Sequence, residues 1–538
     1  MQPSNALTGL YRWIALLLTF FFFPAANPEL RSQDYPELDG LDEYIYKGMS
    51  DWKIPGFAIS VVKEGKIIFE NGYGVRKMGE DVEVDPNTVF GVASTTKAMT
   101  ATLLGMLADE GKIHWDDRVR DHLPWFELSD PWVSDVVTIR DLLTHRVGIG
   151  RLTGNRLVFM PGRDRQTILG HVRHIPFEIP FRSGYVYSNM MYMVAGMIIG
   201  EVTGTSWDDF IIRRLFSPLG MNTASVSVTH ISDDDNAAWP HQEIEGEIRT
   251  IPRRNFDNVG PAASVNASAH DMARWMLLNL GQPGQYEGKE LVSPGIMNEI
   301  FQPQHAFPMS DPLRGNMSAY ALGWNSGIYE GYRTLQHSGG TDGMNSMVTL
   351  VPEIDLGIFV AGNLFCGFRP ALVNHIIDLF LGIEREYDWN VLSMQRHDKN
   401  MKEALQRRQE IEDSRITGTS PTLPLNAYTG IYHDRVYDDA EVYMAEDGKL
   451  RIRFWNDPEM VTELEHWHYD TFRASWINPA MREKFVNFDL GNMGEIRQLN
   501  VTFTLRPAMI QAGIYPTDYY RIVEYKRKQD KPNFPENE

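Results

Sequence analysis

The sequence predicts an α/β (α+β) fold, a mixed block of helices and sheet followed by a small antiparallel β domain. Three observations carry this. The first globular segment reads as an amphipathic helix, Leu41–Trp52, followed by a β-hairpin, Phe57–Val62 and Lys66–Glu70 about the turn Glu64-Gly65. The stretch Ala98–Leu107 (AMTATLLGML) is apolar on nearly every face with Gly111 as a stop signal, the pattern of a helix buried on most sides. Beyond the linker-like run Thr417–Pro424 (TGTSPTLP), Leu450, Ile452 and Phe454 alternate with Lys449, Arg451 and Arg453 after a turn at Asp447-Gly448.

The remaining elements follow in order. Helices are indicated at Ile139–Leu143, Met191–Val202, Trp207–Phe216 and His270–Leu280, and strands at Ser346–Val351 and Leu356–Ala361. A charged helical stretch spans Asn390–Asp413, and a second C-terminal hairpin is formed by Phe485–Leu490 and Ile496–Val501. The boundaries this suggests are 36–386 for the first block, 387–424 for helix and linker, and 425–538 for a small sheet or barrel. At 538 residues, 43% of them hydrophobic, the chain is too long for one ordinary core and has material for more than one.

Arg12 precedes an apolar run, Trp13–Phe23, broken only by Thr19 and followed by Pro24, Ala25 and Ala26. Residues 1–26 thus read as a signal peptide, and the protein as exported, periplasmic or secreted. The run falls short of the roughly 20 residues a spanning helix needs. Pro24 occupies a position where a small residue is preferred, so an uncleaved N-terminal membrane anchor is the alternative reading. A net charge of -20 with no concentrated basic surface argues against nucleic acid as a partner. The single cysteine, Cys366, lies in the apolar run GIFVAGNLFC and reads as a packed thiol.

The segment FGVASTTK places Ser94 and Lys97 three positions apart at the entrance of the buried helix, so their side chains share a face. A serine hydroxyl needs a base, and a lysine becomes one only where its surroundings depress its pKa. Burial beside a helix start meets that need, and the helix N-terminus offers N–H groups to a developing oxyanion. Ser-x-x-Lys alone is weak, since about one match is expected by chance in a chain this long. Ser50 and Lys53 match it too, at the polar end of the first helix with nothing apolar to desolvate the lysine.

Two further motifs follow in order, Tyr187-Ser188-Asn189 and His337-Ser338-Gly339, amid the stretches DLLTHRVGI (Asp141–Ile149), FSPLGMNTAS (Phe216–Ser225) and GGTDGMNS (Gly339–Ser346). With Ser94 and Lys97 they resemble the serine β-lactamase and penicillin-binding-protein superfamily, class C-like, in its His-x-Gly esterase and D-peptidase branch. The resemblance covers roughly 41–383 and implies an α-helical subdomain packed on a mixed sheet, with the site in the crevice between them. It implies Ser94 as nucleophile, Lys97 as its proton acceptor and Tyr187 as a phenol that shares the proton and assists deacylation, its phenolate favoured by the lysine ammonium. It places Asn189 against the substrate amide, His337 and Ser338 beside the substrate, and the N–H of Gly340 with that of Ser94 in the oxyanion hole. His337 replaces the lysine of the Lys-Thr-Gly form. That removes a fixed charge for a substrate carboxylate and shifts the expectation from β-lactams toward esters or neutral amides. His145 reads as a loop-stabilising residue.

The expected activity is hydrolysis of an ester or amide, such as a D-amino-acid peptide, through an acyl-enzyme on Ser94. No cofactor and no metal are expected, and the expected partner is a small-molecule or peptide substrate. No Gly-x-Ser-x-Gly elbow is present, and neither His171 with His174 nor His466 with His468 has a third ligand nearby in sequence. The rival readings are a catalytically silent protein that binds cell-wall peptides and, among enzymes, a β-lactamase or D-Ala-D-Ala carboxypeptidase.

Overall fold

The computed structural model describes residues 35–150, 162–244, 246–306, 316–458, 460–476, 484–504 and 520–528; the segment read as a signal or anchor lies outside the described residues. Helix α1 (Leu41–Trp52) leads into strands β1 (Gly56–Lys63) and β2 (Lys66–Gly74). The turn between them puts both Glu64 and Gly65 at positive φ, 50° and 74°, the two-residue geometry whose twist suits a hairpin. Buried helix α2 (Thr96–Asp109) and helices α3 (Asn189–Thr203) and α4 (Ala269–Asn279) follow. Strands β3 (His305–Ala306), β4 (Asn316–Tyr320), β5 (Asn325–Tyr329), β6 (Tyr332–Gly340), β7 (Asn345–Val351) and β8 (Leu356–Gly362) then complete an antiparallel sheet in the order β2-β1-β8-β7-β6-β5-β4-β3.

Both faces of this sheet are covered, and the alternation of side chains shows how. Phe57, Ile59 and Val61 of β1 pack with Leu41, Ile45 and Trp52 of α1 and with helix α5 (Phe368–Leu381). Ala58 and Val62 point the other way, into the core that holds α2, α3 and α4. The first and last strands of this sheet in chain order pair directly, Phe57 opposite Gly362 through Lys63 opposite Leu356, so β1 lies between β2 and β8, one strand in from the edge.

Helix α6 (Trp389–Asp413) packs through its first turn, where Trp389, Asn390 and Ser393 are buried. Its far end reaches the C-terminal domain. Arg473 pairs with Glu412 at 2.6 Å, and the ring of Trp467 lies between the guanidinium groups of Arg415 and Arg473, at 4.9 and 4.1 Å. That domain is a closed eight-stranded antiparallel barrel: β9 (Gly430–Asp434), β10 (Asp438–Met444), β11 (Leu450–Phe454), β12 (Val461–His468), β13 (Thr471–Trp476), β14 (Lys484–Leu490), β15 (Ile496–Thr504) and β16 (Tyr520–Arg527). Closure leaves no open sheet edge. Its interior is filled by side chains, among them the edge-to-face cluster of Tyr428, Phe472 and Phe488.

The alternation at 449–454 appears as expected, with Leu450, Ile452 and Phe454 buried inside the barrel. The helix expected at Trp207–Phe216 is α-helical to Ile211 and wider, a π turn, from Ile212 to Phe216. Strands β3 to β6 and helix α5 are additions to the sequence reading. Cys366 is buried as a free thiol, pushed up to about 11 by burial. Among the described residues no cluster of His, Cys, Asp or Glu is arranged to hold a metal, and no helix is long and apolar enough to cross a membrane.

Candidate active site

Ser94, the expected nucleophile, is presented by a sharp elbow. Phe90–Gly91 pairs with Asn266–Ala267, and the Val92 N–H donates to Val265 O at 3.0 Å, which anchors the incoming chain. Ala93 then adopts φ 51°, a left-handed conformation costing a β-carbon residue about 1–2 kcal/mol. A 3₁₀ turn over Ala93–Thr95 follows, and α2 begins at Thr96, two residues beyond Ser94. Two hydroxyls tie the elbow off: Thr95 Oγ1 donates to Val92 O at 3.0 Å and Thr96 Oγ1 to Ala93 O at 2.6 Å. Ser94 is left half-buried at the tip.

Lys97, one turn into the helix, has no solvent exposure. Its Nζ lies 3.1 Å from Ser94 Oγ, 2.7 Å from Asn189 Oδ1 and 2.9 Å from the carbonyl oxygen of Ala262. Burial pushes its pKa well below the ordinary lysine value. The neutral amine then has two hydrogens and one lone pair. Asn189 Oδ1 and Ala262 O can only accept, so they take the two hydrogens, and the lone pair is left facing the Ser94 hydroxyl. The same Nζ stands 4.7 Å from the ring centre of Tyr187 and 5.5 Å from that of Tyr192.

Tyr187 and Asn189 come from the start of α3. Asn189 is the first residue of the helix and Ser188 its N-cap, and the Asn189 side chain turns to Lys97. His145 fixes this segment from below. Its carbonyl accepts from the Val186 N–H at 2.8 Å, and its Nδ1 accepts from the Ser188 N–H at 3.1 Å. An acceptor at Nδ1 puts the proton of this neutral ring on Nε2; burial, followed by the nearby Lys97, holds its pKa far below the histidine range. The ring rests 4.3 Å from that of Tyr187. The loop is held in turn by buried Asp141, whose carboxylate accepts from Arg182 at 2.9 and 2.6 Å, from Thr138 N–H and Oγ1 at 2.9 Å each, and from Arg146. Burial alone would raise the Asp141 pKa, but the Arg182 and Thr138 contacts outweigh it and lower it.

Strand β6 closes the site. His337 is only 3% exposed, with Nδ1 2.9 Å from Ser338 O and Nε2 3.0 Å from the Tyr320 hydroxyl. Burial, with Lys97 adding to it, lowers its pKa to about 3. With Nδ1–H donated to Ser338 O, Nε2 accepts the Tyr320 proton. Both ring nitrogens are therefore engaged within the protein, and in this arrangement the imidazole positions the Tyr320 hydroxyl. Ser338 is the exposed side chain of the motif. Both glycines are closely approached: at Gly339 a Cβ would sit 2.0 Å from Val92 O, just ahead of the elbow, and at Gly340 it would strike the Phe365 ring at 2.5 Å. Ser346 Oγ donates to the same Val92 O at 2.7 Å, and Arg369 donates to the carbonyls of Gly339 and Ser346.

The structure thus brings Ser94, Lys97, Tyr187, Asn189 and His337 around one point, while the decoy Ser50 and Lys53 are exposed on α1. Sequence reasoning missed Ala262, Tyr192 and Tyr320. A backbone carbonyl leaves no trace in side-chain identity. Tyr192, three residues after Asn189 and therefore on its face, carried a usable signal.

The sequence profile of the Beta-lactamase family matches residues 41–378. The chain belongs to the Beta-lactamase family. A second profile, a domain of unknown function (DUF3471), matches residues 414–512, over most of the barrel. Among related proteins of this family, "Unguisins hydrolase ungD'" of Aspergillus campestris is 29% identical over 431 residues, 76% of this chain and 78% of that protein. "Protein flp" of Staphylococcus aureus is 30% identical over 342 residues, 62% of this chain and 65% of its own. The fold matches the octameric penicillin-binding protein homologue from Pyrococcus abyssi, with TM-score 0.59 and 20% identity over 86% of this chain and 98% of that one. It also matches a class C beta-lactamase, with TM-score 0.54 and 20% identity over 65% and 97% of the two chains. The family and fold expected from the motifs are those found, and the chain is a hydrolase of this fold.

Two predictions follow from this geometry. Acylation rates should rise with pH as Lys97 loses its proton and level off well below pH 10.5, the ordinary lysine value. The limb should persist in His337→Gln, with a lower plateau, because that imidazole is already neutral; stopped-flow acylation from pH 4 to 10 measures both. Gly339→Ala should drive β6 from the elbow and reduce kcat/KM by about a hundredfold, with thermal unfolding shifted down by several degrees.

Proposed function

We propose that this protein cleaves an ester or amide through an acyl-enzyme on Ser94, acting on neutral esters or D-amino-acid peptide-like amides rather than on β-lactams. The observation that carries the reading is the buried Lys97 Nζ 3.1 Å from Ser94 Oγ, with Asn189 Oδ1 and the Ala262 carbonyl oxygen at 2.7 and 2.9 Å, an arrangement that leaves the lone pair of a neutral amine for the hydroxyl. In the first step Ser94 Oγ bonds to the substrate carbonyl carbon and its proton passes to Lys97 Nζ. The carbonyl oxygen gains the negative charge and is met by the N–H groups of Ser94 and Gly340. Collapse breaks the bond to the leaving group, which takes the proton back from Lys97, directly or through the Tyr187 hydroxyl. Water then adds to the acyl carbon, again giving its proton to the amine, and Ser94 leaves as the neutral hydroxyl.

This sequence keeps Tyr187 a phenol. The reading needs no phenolate: burial shifts Lys97 toward the neutral amine, 4.7 Å from the Tyr187 ring centre, and so weakens the support that an ammonium would give to a phenolate. The hydrolase name of relatives 29% identical to this chain also favours turnover over silent binding. A neutral His337 in place of a fixed ammonium favours substrates without a carboxylate beside the scissile bond.

The test is covalent labelling. A fluorophosphonate should label the wild type and leave Ser94→Ala unlabelled, and Lys97→Arg should lose labelling as completely, since arginine preserves charge and hydrogen bonding but holds its proton. Retention of more than about a tenth of the wild-type rate in Lys97→Arg would show that the amine is not the base.

A further inference from the structure

A cleft lies beside the strand that leads into the elbow. It encloses about 490 Å³, counting the part open to solvent, and its walls include Gly91, Val228, Ile231, Ala238, Phe256 and Met344. Three of its residues join it to the site: Gly91 lies three positions before Ser94, Ala263 follows the Ala262 carbonyl that holds Lys97, and Thr341 follows Gly340. Lys97 and Tyr187 do not line it, and Ser94 and Gly340 stand outside its walls, next in the chain to residues that do.

We infer that this cleft seats a compact, uncharged apolar substituent on the acyl half of the substrate, the half that stays on Ser94. The inference rests on the proposed acyl-enzyme reading. The leaving group must reach the proton held at Lys97 or Tyr187, so it lies toward those groups; a substituent in a cleft they do not line belongs to the acyl half.

Its charged residues already have partners, Arg254 and Asp342 each other and the remaining two neutral groups nearby. Arg253 donates to Ala237 O and Ala238 O at 3.3 Å each and its guanidinium lies 4.2 Å over the Trp239 ring. Arg254 pairs with Asp342 at 2.7 Å. Asp257 Oδ2 accepts from Ser227 Oγ at 2.7 Å and from Asn255 at 3.1 Å, and its Oδ1 is closed off from solvent. A charged substituent would have to break one of these arrangements, whereas an aliphatic one displaces water from Val, Ile, Phe and Met surfaces.

Gly91 gives the means to test this without disturbing the fold. Its φ is not in the left-handed region, and a Cβ there would stand 3.6 Å from Asn266 Oδ1, 3.7 Å from Met344 Sδ and 3.8 Å from Thr341 Cγ2, ordinary contact distances inside the cleft. Gly91→Ala therefore shortens the cleft by one methyl, and Ile231→Ala, at a half-buried wall position, lengthens it.

The experiment measures kcat/KM of the full chain and both variants on 4-nitrophenyl acetate, isovalerate, 4-methylpentanoate and hemiglutarate. Gly91→Ala should lower the isovalerate-to-acetate ratio at least fivefold, and Ile231→Ala should raise the 4-methylpentanoate-to-acetate ratio at least threefold. Both comparisons cancel the intrinsic reactivity of each ester. The hemiglutarate ester should trail isovalerate in the wild type, and a preference for the charged ester would overturn the inference. Turnover that depends on Ser94 but with both ratios unchanged would overturn the cleft assignment alone. Absence of any Ser94-dependent turnover or labelling would overturn the acyl-enzyme reading and the cleft with it. Should Gly91→Ala fail to fold, the Ile231→Ala ratio still decides the matter.

Discussion

The chemistry available to this molecule depends on making the charged form of one amine the unstable one. Lys97 is enclosed by α2, α3 and the Gly260–Ala263 turn, with no solvent exposure. Each unit by which its pKa falls is about 1.4 kcal/mol withheld from the ammonium. That cost is borne by the folded state: the unfolded chain binds the proton more readily, so this group's contribution to stability rises with pH up to the ordinary lysine value. Burial without partners would leave two N–H groups unsatisfied, and Asn189 Oδ1 and the Ala262 carbonyl prevent this. The same two acceptors fix where the lone pair points, so desolvation and orientation come from one arrangement.

Holding that arrangement requires the supporting residues to be neutral as well. A second cation beside Lys97 would compete for the same low-dielectric space. His145 and His337, the two histidines whose pKa values are moved by Lys97, are both buried and both kept uncharged. Each is used for its hydrogen-bond geometry, His145 accepting from the Ser188 N–H and His337 sitting between Ser338 O and the Tyr320 hydroxyl. The charged residues nearby are one shell further out, in the Asp141, Arg146 and Arg182 cluster that pins the His145 loop.

How much of this was legible follows from what each feature leaves in the sequence. Helix α2 announced itself by apolar residues on every face, and Ser94 and Lys97 by lying at its mouth. The barrel strand Leu450–Phe454 was legible because one face is buried and the other wet, which imposes a period of two. Strand β6 was not: it is buried on both faces from Thr334 to His337, so it has no alternation, and its Gly339 and Gly340 resemble a loop. Helix α5 escaped notice for a related reason, since it packs against the sheet with several sides covered and shows little amphipathic contrast. Local pattern thus carried α2, the wholly buried strands β7 and β8 and the barrel hairpin, and carried less where contacts from distant parts of the chain set the environment. His337 is the clearest instance. Its motif gave its place in the site, while its Tyr320 partner comes from β4, two strands away in the sheet beyond β5.

The placement of Gly339 explains why the two halves of the site cannot drift apart. The nucleophile elbow belongs to the helical half and the Gly340 N–H to the sheet half, yet an oxyanion hole made from both works only if their separation is fixed. Val92 O is the contact that fixes it: it accepts from Ser346 Oγ and from Thr95 Oγ1, and it faces Gly339 at a distance that leaves no room for a Cβ. Arg369, beneath the strands, binds the Gly339 and Ser346 carbonyls and holds β6 and β7 in register at the same point. A side chain at 339 would act as a spacer between the halves. The glycine of the third motif is thus required by the distance between two backbones, and the elbow strain at Ala93 is tolerated because the same contact holds the chain on both sides of it.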